Sequence, residues 1–288
     1  MTLDGANSRQ KLDVPELPEV ETIARDLDDA VTGATIGAVH VHRRNVLRET
    51  TPARFVRRLI GASFDRFWRR AKYAVGDLST GERLVVSPRF TGALLIETAP
   101  FRRDRSDYTC VQFALADGRT LRYRDVRRLG TLMVMSPERF REFSGGIGPE
   151  PLEAGFDLDA FSVSVRSSSR AVKTILMDQR RIAGIGNIYA NEALWRSHIR
   201  PSRRGTTLTR AEVALLFAEA RDVLHAAVQQ RGTSFRDYQD PSGGRGGFLG
   251  LAQVYGRAGE PCRRCGTALR STHRLEGRIT VWCTECQR

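Results

Sequence analysis

Lysine is nearly absent from this 288-residue chain: Lys11, Lys72 and Lys173 stand against forty-three arginines. The skew points to a GC-rich genome and makes each retained lysine a position to explain. Long apolar runs are missing too. Nothing approaches the ~18 to 20 residues of a spanning helix, and the opening MTLDGANSRQKLD has no signal-peptide core. The expectation is a chain that stays in the cytoplasm. Acidic residues are in deficit, 33 against 46 basic ones, for a formal charge of +13. That balance argues against an acidic small molecule and for a polyanion, nucleic acid first and an anionic membrane surface second. Internal repeats and long low-complexity segments are also lacking. What is present, 41% hydrophobic and 27% charged residues, excludes disorder throughout and suffices for two domains with separate cores.

Residues 1–13 are polar and without period. From Pro18, Val20, Ile23, Ala24, Leu27 and Val31 recur at helical spacing and Gly33 follows as a stop. The period then shortens towards two. Strands are predicted at 35–42, 64–70, 72–79, 83–87, 92–97, 109–115, 120–124 and 131–135, with a short helix near 52–60. Eight such strands suggest an antiparallel sandwich. The Gly- and Pro-rich stretch SGGIGPEPLEAG (144–155) has little to bury and reads as a hinge, taken as 144–156. Helices follow at 157–165, 171–178, 187–197 and 209–230, the last opening on a Thr209/Glu212 capping box. The fold class is therefore α+β and multidomain: a non-native or disordered extension at 1–14, a sandwich domain with flanking helices at 15–143, a helical domain at 157–247 and a cysteine-bearing end at 248–288.

That end carries Cys262-Arg-Arg-Cys265 and Cys283-Thr-Glu-Cys286, with seventeen residues between the pairs. Each pair can chelate one tetrahedral ion through a tight turn, and the spacer makes one hairpin, the layout of a four-thiolate zinc ribbon. Two disulfides are the competing reading and need an oxidising compartment. With four thiolates no position is left for water, so one Zn2+ is expected to be structural. Cys110, alone in a strand, reads as a buried apolar residue. Of the ribbon arginines, Arg278 in GRITVWC lies where a rigid knuckle could press a guanidinium onto a phosphate.

PELPEVET (15–22), RAKY (70–73), GPEPL (148–152), IAGIGNIYANEAL (182–194), QVYGR (253–257) and the ribbon occur in this order. Together they resemble the formamidopyrimidine-DNA glycosylases, bacterial enzymes that excise oxidised purines and cut the abasic strand. PELPEVET is similar to that branch rather than to endonuclease VIII. The resemblance spans Pro15 to Arg288 and implies an amino-terminal β-sandwich, a helix-two-turn-helix module, a carboxy-terminal zinc finger and damaged duplex DNA as partner, bound by a monomer without a redox or nucleotide cofactor.

Such chemistry needs an amine that attacks the anomeric carbon and becomes a protonated imine. An α-amino group, with a pKa of roughly 7.7 to 8 against ~10.4 for lysine, is substantially neutral at physiological pH. By resemblance Pro15 is the Schiff-base nucleophile and Glu16 the acid/base group, with Glu19 and Glu21 in support. On the motif alone, the prolines could merely stiffen the helix approach. Fourteen residues precede Pro15, which makes its nitrogen a tertiary amide. One valine codon is also a bacterial start codon, so initiation at Val14 with removal of the initiator is the expected route to a free Pro15. Lys72 is expected beside the phosphate at the lesion and Arg278 at the second elimination, both aiding departing phosphate oxygens.

Asn187 opens a helix after a glycine turn, as a DNA contact, a cap, or both. Extruding a base calls for wedges that fill the hole. Phe90 stands where the family usually has a methionine. In RDVRRLG, Arg127 with its neighbour Arg128 aligns with the arginine opposite the orphaned base, and Leu129 replaces an aromatic. Histidines expected at Ser87 and near 106–108 are missing, as is a lysine before Ala171. The stretch 231–250 resembles the loop over the flipped base, with Thr233 and Ser234 as its contacts. The resemblance implies a bifunctional glycosylase and abasic-site lyase of base excision repair, set against an oxidised-pyrimidine enzyme and a lesion-binding protein without lyase activity.

Overall fold

The computed structural model describes residues 15–98, 108–233 and 246–288. Its chain opens on α1 (Leu17–Val31), whose apolar stripe lies on an antiparallel sandwich. One sheet orders β1 (Ile36–Val41), β6 (Thr109–Leu115), β7 (Thr120–Asp125) and β5 (Gly92–Glu97). The other orders β2 (Phe64–Arg70), β3 (Tyr73–Leu78), β4 (Arg83–Ser87) and β8 (Thr131–Met135). All eight strands lie within a residue or so of their predicted bounds, because each alternates between turn signals. Phe55 of α2 (Pro52–Leu59) joins Phe64, Phe113 and Tyr123 in the core between the sheets.

One helix was not legible. α3 (Pro137–Gly145) starts from a Ser136 cap, whose Oγ accepts from Arg139 N at 3.3 Å. It covers the outer face of the second sheet, Phe140 packing with Val75, Val85, Met133 and Met135. Its end overlaps the stretch expected to bury little. That stretch in fact buries Glu150, whose carboxylate takes Arg69 Nη1 at 2.5 Å, Arg70 Nη1 at 2.9 Å and the Ala71 backbone N–H at 2.5 Å.

Beyond it, α4 (Leu158–Arg166), α5 (Val172–Met177), α6 (Asn187–Arg196) and α7 (Arg210–Gln229) enclose a second core. α1 belongs to both cores: Val20, Ile23, Leu27 and Val31 face the sandwich, whereas Leu17 packs among the helices. Leu17 N donates to Gly184 O at 3.0 Å. A side chain at Gly184, where φ is +80, would meet Leu17 at 2.7 Å. The hairpin β9 (Arg270–Thr272) and β10 (Thr280–Trp282) forms the ribbon. Among the described residues no helix is long and apolar enough to cross a membrane.

Candidate active site and metal centre

Because α1 begins at the seam of the two cores, Pro15 and Glu16 are buried between them. Glu16, 2% exposed, accepts from Gly186 N at 2.8 Å and Ile188 N at 2.9 Å, the free amides at the start of α6. Only glycine fits at 186: a Cβ there would lie 2.3 Å from the Glu16 carboxyl carbon. Glu19 backs this arrangement. Its Oε2 accepts from Glu16 N at 2.9 Å, and its Oε1 from Tyr189 Oη at 2.5 Å and Thr233 N at 2.6 Å. Burial raises the Glu19 carboxyl above the ordinary glutamate value, against those hydrogen bonds.

Lys72 sits in the turn between β2 and β3, after Ala71 with φ +52. Glu150 holds the Ala71 amide and both preceding arginines, so the turn that presents Lys72 is fixed from the helical side. Burial pulls the Lys72 ammonium below the usual lysine value; the Glu16 carboxylate opposes this and Arg278 adds to it. Of the four residues singled out for chemistry, Glu16 and Arg278 both lie near enough to Lys72 to act on its charge, and Pro15 directly precedes Glu16 in the chain.

Two of the residues expected at the extruded base, Phe90 and Arg127, touch one another. The Arg127 guanidinium lies 4.8 Å from the Phe90 ring centroid, a cation–π contact. Arg127, Arg128 and Leu129 are exposed, Leu129 at 43%, and Arg128 takes φ +54. Fully buried Asp125 staples this loop by accepting from Thr91 Oγ1, Arg127 N at 3.1 Å and Gly130 N at 2.8 Å. Asn187 and Thr233 are buried: Asn187 Oδ1 takes the Lys173 ammonium at 2.7 Å, and the Thr233 hydroxyl pairs with Tyr189 at 3.1 Å. Ser234 lies outside the described residues.

The Sγ atoms of Cys262, Cys265, Cys283 and Cys286 all lie within 4.8 Å of one another, as one tetrahedral ion requires. Cys110 is buried apart from them, and burial pushes its thiol up to about 11. Sequence reasoning gave no role to Tyr189, Glu150, Asp125 or Lys173, although the first three lie inside the quoted motifs IAGIGNIYANEAL, GPEPL and RDVRRLG and Lys173 stood out by its rarity.

A sandwich and a helical module meeting over a buried carboxylate, with a cysteine ribbon beside them, define the architecture of a DNA glycosylase, and the comparisons agree. Residues 14–132 match the formamidopyrimidine-DNA glycosylase N-terminal domain and residues 147–239 the H2TH domain of the same enzymes. The formamidopyrimidine-DNA glycosylase of Thermomicrobium roseum is 39% identical over 95% of this chain and 99% of its own length. Lactococcus lactis Fpg in complex with Fapy-dG-containing DNA is similar with a TM-score of 0.86, 30% identity, and coverage of 95% of this chain and 100% of that one. MutM (Fpg) of Thermus thermophilus gives 0.84 and 36%, covering 95% and 98%. The chain belongs to the formamidopyrimidine-DNA glycosylase family.

Proposed function

We propose that this chain excises oxidised purines, 8-oxoguanine and formamidopyrimidines, from duplex DNA and then cuts the abasic strand as a lyase. The observation that carries the reading is Glu16, locked on the α6 amides next to Pro15 and sharing its field with Lys72 and Arg278. Solved relatives bound to Fapy-dG and abasic-site DNA support the substrate class.

With its nitrogen free, Pro15 attacks the anomeric carbon; the C–N glycosidic bond breaks and the base leaves, taking up a proton that Glu16 relays. Loss of the amine proton leaves an aminal, whose nitrogen lone pair expels the ring oxygen as the C1′–O4′ bond breaks and O4′ takes a proton, giving the iminium; this accepts the electron pair when a C2′ proton departs and returns it as the C3′–O bond breaks and the 3′ phosphate leaves. A second elimination releases the 5′ phosphate. Lys72 and Arg278 stabilise charge on the two departing phosphates. Phe90 and Leu129 fill the space of the extruded base, while Arg127 and Arg128 engage the opposite strand; Asn187, Thr233 and Ser234 are assigned the remaining contacts to the DNA. Cys262, Cys265, Cys283 and Cys286 would hold one Zn2+, which supplies rigidity to the ribbon when bound. The acting species is a monomer in the bacterial cytoplasm.

Borohydride trapping tests the reading. A chain beginning at Pro15 is expected to form a covalent adduct with duplexes carrying 8-oxoguanine or an abasic site, and a chain with residues 1–14 attached to form none. Absence of any adduct from the Pro15 chain would refute the lyase assignment.

A further inference from the structure

Two lysines lie in the described chain, Lys72 and Lys173, amid arginine at nearly every other basic position. Lys72 is already placed at the site. Lys173 on α5 is 1% exposed, an ammonium whose burial is costly unless its donors are met. Its Nζ donates to Asn187 Oδ1 at 2.7 Å, Thr280 Oγ1 at 2.8 Å and Ile279 O at 3.0 Å. An ammonium directs three donors from one atom, matching these three oxygens; a planar guanidinium cannot. We propose that Lys173 is a positioning residue that fixes Arg278 against the site around Glu16, by clamping the ribbon to the first turn of α6.

The clamp acts on consecutive ribbon residues. Ile279 O and Thr280 are held by Lys173, and Val281 N donates to Asn191 Oδ1 at 3.0 Å. Asn191 Nδ2 in turn donates to Asn187 O at 2.6 Å. Arg278 leads straight into this clamped segment. On its other side the same helix start holds Glu16 through Gly186 and Ile188. One helical turn thereby sets the distance between the group assigned to base excision and the arginine assigned to the second elimination.

The proposal rests on the role given above to Arg278, and its test separates the two. Full-length chain beginning at Pro15 is reacted in single turnover with a duplex holding a preformed abasic site, and the two elimination products are resolved. Arg278→Ala is expected to depress the second product relative to the first. Lys173→Met and Lys173→Arg are expected to do the same, by on the order of tenfold, as displacement of a charged group by about an ångström costs that or more. Borohydride adducts should still form with both. Thr280→Val, which removes one acceptor and conserves shape, should shift the ratio in the same direction by roughly threefold, and it decides the matter if the lysine variants do not fold. A wild-type ratio in Lys173→Arg or Thr280→Val, with Arg278→Ala shifted, overturns this proposal alone, as does an equal loss of both steps. An unshifted Arg278→Ala removes the role of Arg278 and this proposal with it.

Discussion

Glu16 is one carboxylate doing two structural tasks and, on the proposed function, one chemical task. Its oxygens satisfy two amides of α6 that would otherwise be buried donors without partners, which fixes the carboxylate before DNA arrives. Glu16→Gln keeps the volume but turns one acceptor into a donor facing those amides, and removes the acid/base group. Base excision from an 8-oxoguanine duplex is expected to fall by about 10²- to 10⁴-fold, and cutting of a preformed abasic site to fall much less. Equal losses in the two assays would contradict the role. Pro15 and Glu16 were legible because a short local motif contains them. The roles of Glu150 and Lys173 were not, although one lies in a quoted motif and the other stood out as a rare lysine, because what defines those roles is a set of partners about 80 and 107 residues away, and a buried charge looks in sequence like any surface charge.

At the scale of elements, legibility followed how much of the stabilising pattern is local. The sandwich strands alternate, and α7 announces itself through Thr209 and Glu212, whose reciprocal bonds are present: Glu212 N to Thr209 Oγ1 at 3.2 Å and Thr209 N to Glu212 Oε2 at 2.8 Å. α3 carries only two aromatic anchors among charges, and its reason to be helical is the sheet face it covers. Glu212 also makes the module sensitive to acid. Hydrogen bonding to Arg203, with the Thr209 contacts, lowers its carboxyl from 4.5 to about 2. The folded state therefore holds this proton less tightly than the unfolded chain, so the stabilisation is fully present above the unfolded value and disappears as pH falls through about 2. Glu212→Gln is expected to cost about 1 kcal/mol near neutrality, the scale of a lost cap. It should also flatten the decline in urea stability between pH 4.5 and about 2. A parallel decline in the two proteins would rule this out.

Across the whole molecule, two large cores are joined through α1, and those under α3 and in the ribbon are small. The ribbon buries little beyond Val254, Leu269 and Val281 against Trp195, too few side chains to hold a hairpin without help. Besides the hydrogen bonds from Lys173 and Asn191, its four thiols, gathered within 4.8 Å, are a main source of stability, and binding of a structural Zn2+ releases roughly 10 to 16 kcal/mol in small cysteine sites. Stripping the metal should therefore melt residues 262–288 while leaving the sandwich intact, since Phe55, Phe64 and Phe113 pack without the ribbon. Hydrogen exchange reports both at once: the Val281 amide, bonded to Asn191, should lose protection on chelation, and the β6–β7 amides should keep theirs. Arg278 is carried by the melted segment, so the second elimination should disappear along with Val281 protection, and both should return when zinc is restored. Retained Val281 protection after complete removal of the metal would mean that the clamp from α5 and α6 alone suffices to hold the ribbon.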